Sequence, residues 1–329
     1  MRAAVITAPG RVELQTVADP APGPREVVID VAAVGLCGTD LHILQGEFAP
    51  QLPIVPGHEF AGEVVAVGGE VTELTVGARV AVDPNMYCNE CRYCRRGRNN
   101  LCERYAAIGV THPGAAAEFV AAPVGNCVRL PDHVDTQDAA LIEPLSCAVR
   151  GYDVLSSRLG SHVLIYGSGT MGLMMLELAK RTGAASVDVV DVNPERLVTA
   201  EKLGCTQAAR SADELERPAG WDVVIDATGN AAAIQDGLER VAKAGTFLQF
   251  GVSDYATTAT ISPYRIYNQE ITITGSMAVL HSYERAAELF AAGVLDPQLF
   301  ISHRMPLAQY PEALDQFAAG KGRKIVVLP

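Results

Sequence analysis

Between about residues 151 and 275, five short apolar runs, Val163–Tyr166, Val187–Asp191, Val223–Asp226, Thr246–Phe250 and Ile271–Thr274, are separated by helix-length segments. That alternation predicts a parallel sheet covered by helices, because parallel neighbours need long crossovers. The first run leads into Gly167-Ser168-Gly169-Thr170-Met171-Gly172, with a helix expected to start near Met171. Glycines placed between a strand and a helix suit a pyrophosphate seated on the helix N-terminus. Asp191 ends the second run, where a carboxylate accepts bonds from ribose hydroxyls and repels a 2′-phosphate. Asn193 and Pro194 already supply a cap and first-turn pair for the next helix, which leaves Asp191 for the nucleotide. NAD is therefore the expected cofactor. Arg196 keeps NADP open, because a nearby arginine accommodates that phosphate.

The preceding residues read differently. Ala3–Thr7, Val12–Thr16 and Glu26–Val34 are strand-like and are separated by turn-rich residues, with no crossover helices. A chain of 329 residues exceeds what one core usually serves. Two domains follow, with the second beginning near residue 151. Cys37 stands just past the third strand, and His58 and Glu59 follow about twenty residues later. Thiolate, imidazole and carboxylate are donors that a catalytic zinc accepts while keeping one position open. Asp40 is placed to accept the other ring N–H of His58. His58 and Glu59 are adjacent and would face opposite ways on a regular strand. Pro56 and Gly57 argue that the backbone is irregular there.

Cys88, Cys91, Cys94 and Cys102 form C-x2-C-x2-C-x7-C, a spacing that brings four sulfurs to one tetrahedral centre. Four thiolates leave no open position, so this zinc is expected to be structural and to brace a lobe poor in apolar residues. An iron–sulfur or rubredoxin-like carrier is the competing class, and the nucleotide motif disfavours it. Metal is favoured over disulfides in a large chain whose start lacks a signal peptide, and the expected compartment is the cytoplasm. Cys127, Cys147 and Cys205 read as packing residues.

The formal charge of −12 argues against a nucleic-acid partner. Arg92, Arg95, Arg96 and Arg98 are the local exception and read as a solvated loop beside the cysteines. No apolar run is long enough to span a bilayer.

Gly57-His58-Glu59, followed by Gly62, Gly68 and Val71, resembles the signature of zinc-containing medium-chain alcohol dehydrogenases, and Cys37-Gly38-Thr39-Asp40-Leu41-His42 is similar to that family's first-ligand motif. Glu143-Pro144-Leu145-Ser146 resembles the zinc-site carboxylate motif of sorbitol and other polyol dehydrogenases. The resemblance implies an α/β fold of two domains. A GroES-like β-rich catalytic domain would cover residues 1–150, joined by 294–329, and a Rossmann doubly wound parallel-sheet domain residues 151–293. It further implies a catalytic zinc on Cys37, His58 and Glu59 or Glu143, and a proton relay through Thr39 and His42. Because proline disfavours helical geometry before it, Glu143 is expected at a break after the helix-like stretch Thr136–Leu141. Thr228, Val252 and Ser276 would line the nicotinamide, Phe48 and Phe119 the substrate pocket, and Arg323 or Lys324 would approach the cofactor phosphates.

The activity implied is NAD-dependent oxidation of a secondary alcohol in a polyol or cyclic polyhydroxy compound, with one catalytic and one structural zinc per subunit. A threonine or amino-alcohol dehydrogenase is the alternative, and a non-catalytic nucleotide-sensing protein the alternative of another class. The family commonly forms dimers or tetramers, with Ile271–Thr274 and the residues around Met277–Leu280 as the candidate sheet edge.

Overall fold

The computed structural model describes residues 1–47, 51–155 and 158–329. The chain divides into two compact units, Met1–Ser146 with Val279–Pro329, and Cys147–Ala278. The first boundary falls four residues before the expected 151. At the second, the residues from Val279 onward join the first unit, where the Tyr87 hydroxyl donates to the Val279 carbonyl (3.1 Å) and the His133 ring meets the Ala291 carbonyl (3.0 Å).

The first unit is built on a seven-stranded sheet. Its path runs Ile301–Pro306, Lys324–Leu328, Glu26–Gly35, Glu59–Val67, Arg79–Val82, Cys127–Arg129, and Phe119–Pro123 pairs with Glu26–Gly35. Val27, Ile29, Val31, Phe60, Val64, Val80, Ile325 and Val327 meet in its core. Each such side chain contributes about 1.5–3 kcal/mol by leaving water. The last strand, with its apolar run Ile325-Val326-Val327, pairs with Glu26–Gly35 at Val326–Gly35 and Val327–Val34. That pairing fixes the chain's end beside Leu36 and Cys37.

The second unit holds a six-stranded sheet in which every pair is parallel. Its order is Gln207–Ala209, Ser186–Val190, His162–Tyr166, Trp221–Asp226, Val241–Gln249, Thr272–Gly275. All five predicted runs are strands here. Their apolar character is nearly continuous, as expected where both sheet faces are covered. The helices Thr170–Arg181, Pro194–Lys202 and Ala231–Arg240 supply the crossovers. Trp221 is 1% exposed, and its indole N–H donates to Asp188 Oδ2 at 2.8 Å, so the one tryptophan carries its polar atom into the core already paired. Among the described residues no helix is long and apolar enough to cross a membrane.

Glu143 departs from expectation. It is the second residue of the helix Ile142–Asp153, not part of a break, with Asp138–Leu141 as a 3-10 turn before it. Pro144 lies in the helix's first turn, where a missing N–H costs no intrahelical bond.

Candidate active site and zinc lobe

The helix Gly38–Leu44 begins directly after Cys37, whose N–H donates to Asp40 Oδ2 at 2.9 Å. This reciprocal cap holds Cys37 at the helix start with its sulfur turned out of the ladder. Gly57, at φ +94°, turns the neighbouring chain, and the strand proper starts at Glu59. His58 therefore precedes the strand, and the two side chains converge: Cys37, His58 and Glu59 each offer a ligand atom within 4.8 Å of the others. His58 and Glu59 are buried, at 6% and 1% exposure.

The electrostatics of the cluster fit a cation. Burial works against the His58 imidazolium, but the Cys37 sulfur, Asp40 and Glu143 outweigh it and raise its basicity well above the usual value. Burial likewise raises the Asp40 carboxyl, and it pushes Glu143 up to about 7 despite the pull of His58. These acids crowd a dry site, and a divalent ion would relieve the crowding. Asp40 Oδ1 faces His58 Nδ1 at 3.7 Å, too far for a hydrogen bond but on the side where an orienting acceptor belongs. Glu143 lies outside the close triple, although His58 feels its charge. Thr39 Oγ1 is 3.7 Å from Cys37 Sγ, and His42 Nδ1 meets Glu47 Oε2 at 2.5 Å.

Glu59 has a partner that the sequence reading assigned elsewhere. Lys324 is 3% exposed, and its ammonium donates to Glu59 Oε1 (2.8 Å), Glu59 Oε2 (2.5 Å) and the Leu36 carbonyl (2.9 Å). It is committed inside the metal cluster and does not serve cofactor phosphates. Arg323 Nε donates to the Leu299 carbonyl at 2.9 Å. A carboxylate offers about four acceptor positions, so Glu59 retains capacity for a metal beside Lys324. Gly35 makes room for it: a Cβ there would stand 2.3 Å from Glu59 Oε2.

All eight cysteines carry free thiols, and Cys88, Cys91, Cys94 and Cys102 come together with their sulfurs within 4.8 Å. The N–H groups of Cys91 and Arg104 point at Cys88 Sγ (3.3 Å) and Cys102 Sγ (3.3 Å). Burial opposes the Cys88 thiolate, yet donors from Cys91 and the Arg104 side chain bring it down to about 6. Burial, then the Cys91 and Cys102 sulfurs, push Cys94 up to about 12. Four sulfurs this close would repel one another as thiolates, and a tetrahedral zinc would remove that conflict. Arg92, Arg95, Arg96 and Arg98 are all exposed. Cys127 is pushed up to about 12 by burial, as suits a packing thiol.

In the second unit Gly167 takes φ +96°, and Gly169 caps the helix Thr170–Arg181. Gly172 allows the loop to close, since a Cβ there would stand 1.8 Å from the Gly167 carbonyl oxygen. Thr170 is buried and Met171 half-buried in the first turn. Asp191 is tied to this loop: Oδ2 accepts from Ser168 N (2.7 Å) and Ser168 Oγ (2.9 Å), and Oδ1 from Asn193 N (2.8 Å). Arg196 is half-buried in the following helix.

Comparison with known proteins gives the family. Residues 23–132 match the alcohol dehydrogenase GroES-like domain, and residues 170–292 match the zinc-binding dehydrogenase domain. D-arabinitol dehydrogenase 1 of Uromyces fabae is 36% identical over 92% of this chain and 90% of its own. The chain belongs to the zinc-binding dehydrogenases. L-threonine 3-dehydrogenase of Saccharopolyspora erythraea is 34% identical, covering 99% of this chain and 98% of its own. A solved structure from Sinorhizobium meliloti 1021, described as a zinc-binding dehydrogenase bound to NADP, superimposes with a TM-score of 0.96. It is 33% identical and covers 100% of this chain and 99% of its own.

Within this zinc-binding dehydrogenase, the remaining assigned residues are distributed unevenly. Val252 is 66% exposed, Ser276 N donates to the Gln249 carbonyl at 3.2 Å, and Thr228 follows the strand Trp221–Asp226. Phe119 opens the strand Phe119–Pro123 and is half-buried. It pairs with Asp30 while Glu59 pairs with Gly35 on the same strand, a separation of about 16 Å at about 3.3 Å per residue. Phe48 lies outside the described residues. The Lys324–Glu59 pair had one sequence signal, a lysine opening an apolar strand.

Proposed function

We propose that this zinc-binding dehydrogenase oxidises a secondary alcohol of a polyol or cyclic polyhydroxy compound to a ketone with NAD, using one catalytic and one structural zinc per subunit. The observation that carries the reading is the convergence of half-buried Cys37 with buried His58 and Glu59 beside Thr39, with Glu143 close enough to be felt electrostatically. Cys37, His58 and Glu59 would hold the catalytic zinc, with Glu143 binding it or its water; Cys88, Cys91, Cys94 and Cys102 would hold the structural one. When bound, zinc would supply polarisation of the alcohol oxygen and the nicotinamide would supply the hydride acceptor.

The chain's own residues handle the proton. Thr39 and His42 lie three residues apart on one helix and so share a face. The Thr39 hydroxyl receives the substrate proton and His42 passes it outward, where Glu47, whose side chain is 44% exposed, delivers it to water. Lys324 balances the negative donors and holds Glu59 in place.

NAD is favoured because the Asp191 carboxylate is anchored at the glycine loop, where it opposes a 2′-phosphate. NADP is the second reading, supported by Arg196 and by the NADP-bound relative. Metal chemistry belongs to the unit Met1–Ser146 with Val279–Pro329, and dinucleotide binding to Cys147–Ala278. The strand Thr272–Gly275 stands at the end of its sheet and suits pairing with a second copy, giving a homodimer or homotetramer in the cytoplasm.

Threonine is the competing substrate, supported by the threonine dehydrogenase relative. Glu143-Pro144-Leu145-Ser146 and the arabinitol dehydrogenase relative favour a polyol. Steady-state NAD reduction with sorbitol, xylitol, arabinitol, inositols and threonine decides between them. The reading expects kcat/KM for a polyol at least about tenfold above that for threonine, a transition-state difference of about 1.4 kcal/mol. Dominant turnover of threonine overturns it.

A further inference from the structure

Asp226 ends the strand Trp221–Asp226, is fully buried, and has no place in the chemistry above. Its carboxylate accepts four hydrogen bonds: from Thr228 N (3.1 Å), Thr228 Oγ1 (2.5 Å), Gly229 N (2.9 Å) and Gln249 Nε2 (2.7 Å). Its backbone carbonyl accepts two more, from Phe250 N (3.0 Å) and Gly251 N (2.7 Å). Gln249 ends the neighbouring strand, and its amide also donates to the Gly251 carbonyl at 2.8 Å. The Gln249 carbonyl in turn takes the Ser276 N–H at 3.2 Å, just past the third strand. The Asp226 side chain thus ties its own turn to the end of the neighbouring strand, and the Gln249 main chain carries the link to the third.

The turns also interlock through bare backbone. A Cβ on Gly229 would stand 2.0 Å from the Val252 carbonyl oxygen, and one on Gly251 would stand 2.3 Å from Gly229 N. Ser253 Oγ closes the arrangement by donating to the Gly229 carbonyl at 2.7 Å. Four donors aimed at one group call for an acceptor-only side chain, which an amide is not. A buried carboxylate is costly unless it is bonded this fully.

Thr228 is affected directly. Its hydroxyl hydrogen goes to Asp226, and its oxygen accepts from Asn230 N at 3.0 Å. It is therefore not a hydroxyl donor to a cofactor, and its contribution is the shape of the turn. These turns lie beyond the carboxyl ends of the strands, where open α/β sheets bind ligands.

Resting on the nicotinamide reading above, we propose that Asp226 is the positioning residue for the nicotinamide end of the cofactor. It preforms the turns at 227–230 and 250–253, so that binding does not have to order them. The glycine loop and Asp191 hold the adenosine and pyrophosphate end; Gly167 touches the same turn, since a Cβ there would stand 2.9 Å from Thr228 Cγ2, so the two ends are told apart by the size of the loss.

The test is calorimetric binding of NADH, and separately of ADP-ribose, which lacks the nicotinamide, to the full-length zinc-loaded protein and its Asp226→Asn variant. NADH affinity should fall about tenfold, the scale set by one lost hydrogen bond to a charged group, while ADP-ribose affinity changes less than about twofold. Equal losses for both ligands would make Asp226 a general support of the domain, and no loss for either would show that the turns do without it; each result overturns the proposal. Should Asp226→Asn not fold, Gln249→Leu removes only the amide link and should weaken NADH about threefold with ADP-ribose unchanged, a smaller share of the same hydrogen-bond scale. Wild-type protein that binds ADP-ribose but neither NADH nor NADPH would instead refute the nicotinamide reading itself.

Discussion

Lys324 and Glu59 form a buried ion pair within a ligand cluster, and removing one member strands the other. Lys324→Met leaves the Glu59 carboxylate dry beside the Cys37 thiol, the Asp40 carboxylate and Glu143. Breaking a buried pair from one side costs about 3–5 kcal/mol, so urea unfolding of the metal-free protein should show a loss of that order. Lys324→Arg should recover part of it. Unchanged stability in Lys324→Met would mean that the pair contributes nothing. His58→Ala removes a donor without opening the sheet core, because His58 precedes the strand that starts at Glu59. Turnover should fall by at least about a thousandfold while circular dichroism and NADH binding persist, the scale expected when a catalytic metal's ligand is lost. Near wild-type turnover would remove His58 from the chemistry.

At the scale of elements, the lobe around Cys88, Cys91, Cys94 and Cys102 contains two 3-10 turns, Cys94–Arg96 and Asn99–Leu101, and few buried apolar groups. Its order depends on the sulfurs. Cys94→Ser should release about one zinc per subunit and accelerate amide hydrogen exchange across residues 88–104, leaving exchange in the strand Glu26–Gly35 slow. Unchanged exchange and zinc content would deny the lobe its structural metal. The parallel strands were readable in the sequence because uninterrupted apolar runs such as Val163–Tyr166 have few other uses in a chain of this composition. The cysteine spacing was readable for a similar reason: four ligands within fifteen residues constrain their own geometry. Glu143 was placed in the wrong local structure because the rule for residues before proline weakens in a helix's first turn. Lys324 was misassigned because its partner, Glu59, lies 265 residues away and only the sheet brings them together.

At the scale of the whole molecule, the proposed metal ligands and the glycine loop belong to different compact units, and the unit with the proposed ligands is assembled from both ends of the chain. The return of Lys324–Leu328 to the first unit makes the metal cluster dependent on the C-terminal strand. The edge strand Thr272–Gly275 predicts self-association, so light scattering after size exclusion should give a mass of two or four chains, and a monomer alone would remove that expectation. The most direct test of the central claim is polyol-dependent NAD reduction followed through chelation and zinc replacement, with zinc per subunit determined by elemental analysis at each stage. About two zincs per subunit are expected at the start, with loss of turnover as the first zinc leaves and recovery when zinc is restored. Turnover that survives complete removal of zinc, or a fully zinc-loaded protein that oxidises no polyol, would contradict the claim.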